Sequence, residues 1–187
     1  MDKVQLRRQL LQQRRSLPST VWQENSDRLC QQLISLPLFQ SAKTILGYFS
    51  LHQEPDLRGL FQSPAVWGFP RCVGQNLAWH RWSVGDSLQT GPYGIAEPEA
   101  ESPQLLPSEI DLILVPAVAC DRRGYRLGYG GGYYDRLFAN PLWANIPTIG
   151  IVFEFAYLSA LPVEPWDITV SLVCTENKVY SPHKSDQ

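Results

Sequence analysis

Ile110-Asp111-Leu112-Ile113-Leu114-Val115 is a near-continuous apolar run of strand length. Such a run is shielded on both faces, which is what a central parallel strand requires. Directly beyond it lies Asp121-Arg-Arg-Gly-Tyr-Arg-Leu-Gly-Tyr-Gly-Gly-Gly-Tyr-Tyr-Asp135. Ligands of open parallel sheets gather at the carboxyl ends of strands, and this loop follows such an end. Its five glycines let backbone approach a ligand closely, and its three arginines add fixed positive charge. Glycine amides with arginine forks suit phosphate oxygens, and a neighbouring Asp suits the Mg²⁺ that accompanies a nucleotide.

Outward from this strand, the pattern alternates strands with helices. Residues 3–16 carry apolar side chains at helical spacing, with Pro18 stopping the pattern. Ser19 or Thr20 is placed to cap a second helix through Ile34, which ends at Pro37. Thr44–Phe49, Ala65–Phe69, Leu77–Trp82, Thr148–Phe153 and Ile168–Val173 read as further strands. Helices are expected over Asp56–Phe61 and from Tyr133 to Phe138, and a turn at Gly74. Residues 83–107 are rich in proline and form a long connection; the chain end from about residue 180 reads as a frayed tail. The expectation is one α/β domain spanning residues 1–187 with a mainly parallel sheet.

With 44% hydrophobic and 18% charged residues and a net charge of −2, the chain has a globular composition and is no general nucleic-acid or membrane binder. Cys30, Cys72, Cys120 and Cys174 are far apart with no C-x-x-C pair, which speaks against structural zinc and for thiols in a core. The N-terminus is charged with no apolar run behind it, and no window approaches a membrane span. A cytoplasmic monomer is the expectation.

The loop lacks the G-x-x-x-x-G-K-[ST] pattern, and Tyr133 stands where a G-x-G-x-x-G motif needs its third glycine. From its residues alone it is a general anion nest. Lys3 and Arg7, spaced i, i+4, present two cations on one helix face. Asp135 suits either Mg²⁺ or the cap of the helix that follows. A single-strand RNA module is the rival from another class, since arginine, glycine and tyrosine together suit stacking plus charge. The acidic balance of the chain opposes it.

The run Val115-Pro116-x4-Asp121-x2-Gly124-x-Arg126-Leu127-Gly128-x-Gly130-x-Gly132-Tyr133-Tyr134-Asp135 resembles the signature of the 5-formyltetrahydrofolate cyclo-ligases, the methenyltetrahydrofolate synthetases. Lys3-x3-Arg7, Tyr48-Phe49-Ser50 with Glu54, Gly91-Pro92-Tyr93-Gly94-Ile95 with Glu97-Pro98, and Pro162-Val163 with Asp167 match further family segments in order. The resemblance implies a three-layer α/β/α sandwich with a Rossmann-like sheet. It also implies ATP- and Mg²⁺-dependent cyclisation of 5-formyltetrahydrofolate to 5,10-methenyltetrahydrofolate, or a relative that binds these ligands without turnover.

Carried over position by position, the resemblance puts ATP on Lys3, Arg7, Arg126, Leu127, Gly128, Tyr129, Gly130, Gly131, Gly132, Tyr133 and Tyr134. It puts the folate on Phe49, Glu54, Tyr93, Tyr129, Gly130, Gly131, Gly132 and Tyr133. Asp135 and Asp167 take the metal, and Arg126 and Tyr133 act in catalysis. The chain departs from many relatives in Ser171, where they carry a second acid. It also departs in Tyr129 and Gly131, basic in some relatives, which leaves phosphate charge to Arg122, Arg123 or Arg126.

Overall fold

A computed structural model describes residues 2–182. Helix α1, Lys3–Arg15, is capped by Asp2, whose carboxylate accepts the Gln5 amide at 2.8 Å. Helix α2, Ser19–Ile34, starts one residue after Pro18 with no side-chain cap, so neither Ser19 nor Thr20 plays that part. Pro37 does more than end α2: it opens a third short helix, α3, Pro37–Ser41, where proline's missing N–H costs nothing.

The main sheet has seven strands: β1 (Thr44–Leu46), β2 (Val66–Val73), β3 (Asn76–Arg81), β6 (Leu112–Pro116), β9 (Thr148–Ile151), β11 (Leu172–Cys174) and β12 (Val179–Tyr180). Their order is β12-β11-β9-β6-β1-β2-β3. The inner five run parallel; the edge strands β3 and β12 are antiparallel to their neighbours. The strand at Ile110–Val115 is β6, fourth of the seven, as its apolar run demands. Counting only the parallel strands gives the doubly wound order 2-1-3-4-5, whose direction reverses between β1 and β6. Tyr180, expected in the frayed tail, pairs with Val173 in the last strand; residues 183–187 of that tail lie outside the described residues.

Alternate residues of the strands feed two cores. On one face Leu46, Ile113, Val115 and Val173 pack with Leu10 of α1 and with Leu137 and Phe138 of helix α4 (Tyr133–Ala139). On the other, Ile45, Leu112, Leu114, Ile149 and Ile151 pack with Leu29, Cys30 and Leu33 of α2 and Phe39 of α3. The result is the three-layer α/β/α sandwich. Cys30, Cys120 and Cys174 are buried free thiols, and burial pushes Cys30 and Cys120 up to about 12, so they stay protonated.

Three expectations need correction. The Asp56–Phe61 segment makes a single 3₁₀ turn, Arg58–Leu60, with Leu57 and Leu60 buried in the same core as Leu29 and Leu33 of α2. Residues 83–107 hold a small antiparallel hairpin of β4 (Leu88–Thr90) and β5 (Ala96–Pro98). The glycine loop does not follow β6 directly: β7 (Ala119–Asp121) and β8 (Arg126–Leu127) intervene, and β7 pairs with β8 on one side and β10 (Tyr157–Leu158) on the other in a second sheet.

Candidate active site

Helix α1 lies as a strap across the carboxyl-end side of the sheet. Lys3 Nζ donates to Asp167 Oδ2 at 2.5 Å, Arg7 Nε donates to the Gly128 carbonyl at 2.7 Å, and Arg14 donates to Tyr129 Oη. With Leu10, these residues follow the i, i+4, i+7, i+11 spacing of one helical face. The helix therefore reaches the glycine loop and the segment before β11 with the same side that buries Leu10.

The loop between β8 and α4 is clamped from two directions. Gly130 (φ 104°) and Gly132 (φ 67°) take left-handed backbone that a side chain would resist. Arg7 holds the Gly128 carbonyl, and Arg136 Nη2 donates to the Gly131 carbonyl at 2.8 Å while its Nε holds Gln75 O at 2.7 Å. Arg126 stands beneath the loop, its side chain only 4% exposed. Its Nη2 donates to Asp135 Oδ1 at 2.7 Å and its Nη1 to the Ile168 carbonyl at 2.6 Å. One guanidinium thus ties Asp135 to the residue after Asp167. Arg126 is a wall of the site, not a freely extended anchor at its mouth.

Arg123 cannot serve phosphate in this arrangement: it is held by Asp121 Oδ2 at 2.7 Å and by the Leu161 carbonyl. Of the alternatives to basic loop residues, Arg122 is exposed and Arg126 alone bonds to Asp135. Ser171 bonds to Thr148 and knits β11 to β9.

Glu54 sits beyond the end of β1, at the topological switch beside β6. The turn before it is strained: His52 (φ 49°) and Gln53 (φ 57°) adopt left-handed backbone without being glycine. Glu54 is buried. Its Oε2 accepts the Leu51 amide at 2.9 Å and its Oε1 accepts the Tyr129 hydroxyl at 2.8 Å. Burial pushes its carboxyl above the usual 4.5, while Arg14, the Leu51 amide and Tyr129 pull it back. Burial and the Glu54 charge push Tyr129 upward, so it is a hydrogen-bond donor at neutral pH.

Tyr93, also left-handed (φ 66°) and 73% exposed, stands with its hydroxyl 3.4 Å from that of Tyr133. That bond leads the effects that raise Tyr133 to about 12, so Tyr133 too keeps its proton. Phe49 stacks on Phe69 at 4.2 Å and meets Trp82 edge-on at 5.2 Å, on the rim of an aromatic cluster. Tyr134 is partly buried among Trp79 and Phe138, facing the core. Leu127 is buried in β8.

The structure therefore brings Lys3 to Asp167, Arg7 to Gly128, Arg126 to Asp135, Tyr129 to Glu54 and Tyr93 to Tyr133. Leu127 and Tyr134 pack on the core side of these groups, and Phe49 lies on the rim of the aromatic cluster. Sequence reasoning passed over Arg14 and Arg136. Arg14 shares the helical face of Lys3 and Arg7, a periodicity that was open to inspection; Arg136 bonds only backbone carbonyls and left no such trace.

A doubly wound α/β sheet with a glycine loop at its carboxyl edge, set against a buried carboxylate, is an arrangement suited to an anionic ligand next to a donor-rich one. The chain belongs to the 5-formyltetrahydrofolate cyclo-ligase family, whose sequence profile matches residues 1–176. It is 32% identical to the 5-formyltetrahydrofolate cyclo-ligase of Mycolicibacterium smegmatis, over 95% of each chain. It is 30% identical to that of Escherichia coli K12, over 90% of this chain and 97% of the other. The solved 5,10-methenyltetrahydrofolate synthetase of Aquifex aeolicus superposes with a TM-score of 0.86 at 32% identity, covering 100% of this chain and 96% of that one.

Proposed function

We propose that this protein uses ATP to close 5-formyltetrahydrofolate into 5,10-methenyltetrahydrofolate, releasing ADP and phosphate. A formyl amide is a poor electrophile and its oxygen a poor leaving group. Transfer of the γ-phosphoryl group to that oxygen corrects both; N10 then bonds to the carbon, loses its proton, and the oxygen departs with phosphate. The observation that carries this reading is one loop anchored on two sides: the Tyr129 hydroxyl donates to Glu54 on one side, while the Gly128 and Gly131 carbonyls accept from Arg7 and Arg136.

In this reading Lys3, Arg7 and the amides of residues 128–132 cradle the phosphates, screening their charge where it develops. Glu54 accepts from the donor-rich pyrimidine edge of the pterin, and Phe49 and Tyr93 flank the ring. Tyr133 donates its hydroxyl at the boundary between formyl oxygen and phosphate, since a phenol raised to about 12 holds its proton at neutral pH. Arg126 keeps Asp135 and the 167–168 segment in register.

Mg²⁺ fits these residues as a nucleotide complex. Two carboxylates with phosphate oxygens are its usual set, and Asp135 is a third exposed with one oxygen on Arg126. Among the described residues no group of three or more His, Cys, Asp and Glu could hold a bare ion. Asp135 and Asp167 would hold the metal, and its charge would neutralise the β- and γ-phosphates.

The chain works as a cytoplasmic monomer in this proposal: one copy supplies every group named, and free buried thiols suit a reducing compartment. Among the described residues no helix is long and apolar enough to cross a membrane. The test is to mix the protein with 5-formyltetrahydrofolate, ATP and Mg²⁺ and follow the near-ultraviolet absorbance of the methenyl product. An ATP-dependent rise is expected; its absence with folded protein would refute the reaction.

A further inference from the structure

Arg14 is buried to 4% exposure, unusual for an arginine unless it is fully engaged. Its guanidinium meets three segments distant in sequence. Nε donates to the His52 carbonyl at 3.0 Å, inside the left-handed turn that precedes Glu54. Nη2 donates to Tyr129 Oη, and the cation also lies 5.5 Å from the Tyr129 ring centre. Nη1 approaches the Ala117 carbonyl, just past β6, at 3.5 Å. Tyr129 in turn donates to Glu54. A chain of donors thus runs from α1 through the glycine loop to the carboxylate at the β1–β6 switch.

We propose that Arg14 is a positioning residue: its guanidinium fixes Tyr129 and the 51–54 turn so that the Glu54 carboxylate meets the substrate ring as an anion. The proposal rests on the reading of Glu54 as the acceptor for the pterin. It assigns Arg14 a part in the site although Arg14 touches neither ligand in that reading. The geometry has a chemical reason. A carboxylate taken out of water tends to take up a proton, and a protonated carboxyl presents one acceptor oxygen and one donor where the ring needs two acceptors. Nearby positive charge and a hydroxyl donor oppose this.

The groups facing Glu54 are Arg14 from α1, Tyr129 from the loop, Tyr48 beyond β1 and Tyr134 from α4; Trp22 of α2 bonds only the Glu54 carbonyl. Arg14 is the one cation among them. Its charge lowers the Glu54 carboxyl, so its loss lets protonation begin at higher pH. Weak substrate binding should therefore spread upward from the acid side.

The experiment titrates the Glu54 carboxyl by NMR of ¹³C-glutamate-labelled protein, its signal identified by its loss in Glu54→Gln. In Arg14→Met the midpoint is expected to rise by about one pH unit or more. Tyr129→Phe should raise it by less, and Arg14→Lys, which keeps the cation, should largely restore it. KM for 5-formyltetrahydrofolate should follow, rising about tenfold in Arg14→Met at a pH on the acid limb. An unmoved midpoint in folded Arg14→Met overturns the proposal. Should that variant not fold, Tyr129→Phe decides in the same way. If Glu54→Gln leaves KM for 5-formyltetrahydrofolate unchanged at every pH, the pterin reading fails, while the NMR midpoints still judge the role of Arg14.

Discussion

Replacing Arg126 by methionine tests the frame of the site most directly. The guanidinium is nearly sealed from water, and it donates at 2.7 Å to Asp135 and at 2.6 Å to the Ile168 carbonyl. It also lies 5.3 Å from the Phe138 ring centre. A hydrogen bond to a charged group contributes about 1.5–3 kcal/mol. Asp135 is a third exposed and recovers water when its partner leaves, so the lower figure applies to each bond. The loss is then about 3 kcal/mol, at the low edge of what breaking a buried pair costs.

For a chain of this length that corresponds to a fall in Tm of about 6–12 °C. Calorimetric melts of Arg126→Met, Asp135→Asn and the double variant isolate the pair itself, with an expected coupling of about 1.5 kcal/mol. Released from Arg126, Asp135 and the 167–168 segment drift, and kcat/KM for ATP should fall about tenfold to a hundredfold. A Tm within about 2 °C of the parent, below 1 kcal/mol by the same conversion, would refute the account of Arg126 as the tie between the two acidic segments.

Lys3→Gln should raise KM for ATP about tenfold, the loss of one charge-assisted contact, while shifting stability by less than about 1 kcal/mol because the Lys3–Asp167 pair is partly solvated; equal loss for both substrates would contradict the assignment. Gly132→Ala forces a side chain into φ 67° and against Arg136 Nη1, and should cost about 1–2 kcal/mol and depress ATP-dependent turnover, checked by melts and kinetics. Glu54→Gln should change the pH dependence of stability in a defined sense. Because burial raises the folded-state carboxyl above 4.5, the folded parent binds the proton more tightly than the unfolded chain does. Its stability relative to the variant should be greatest below pH 4.5 and decline as pH rises through the raised value. Denaturant melts across pH check this, and a flat difference would contradict it.

Most of the architecture could be read before any coordinates. The α1 and α2 boundaries followed from apolar spacing and two prolines, and the strand at 110–115 occupies the middle of the sheet because no polar residue but Asp111 interrupts it. The resemblance of the loop at 126–135 and of four further segments supplied the residues proposed here for both ligands. What escaped reading was short or held from afar. Strands β7, β8 and β10 have two or three residues each, too few for a period-two pattern, and they exist through pairing with one another. The 56–61 segment reads as a helix in sequence yet forms one 3₁₀ turn, with Leu57 and Leu60 buried in the core shared with α2.

Local sequence thus determined the longer elements, the glycine-bearing loop and the charge types around it, since those depend on spacing and side-chain chemistry within a few residues. Tertiary structure alone decided which cation meets which acid. Lys3 with Asp167, Arg126 with Asp135, and Arg14 with Tyr129 and Glu54 all join groups on different elements, and such pairing depends on where the sheet and α1 dock. Whether Glu54 is a solvated acid or a buried acceptor follows from that docking, because only packing removes it from water.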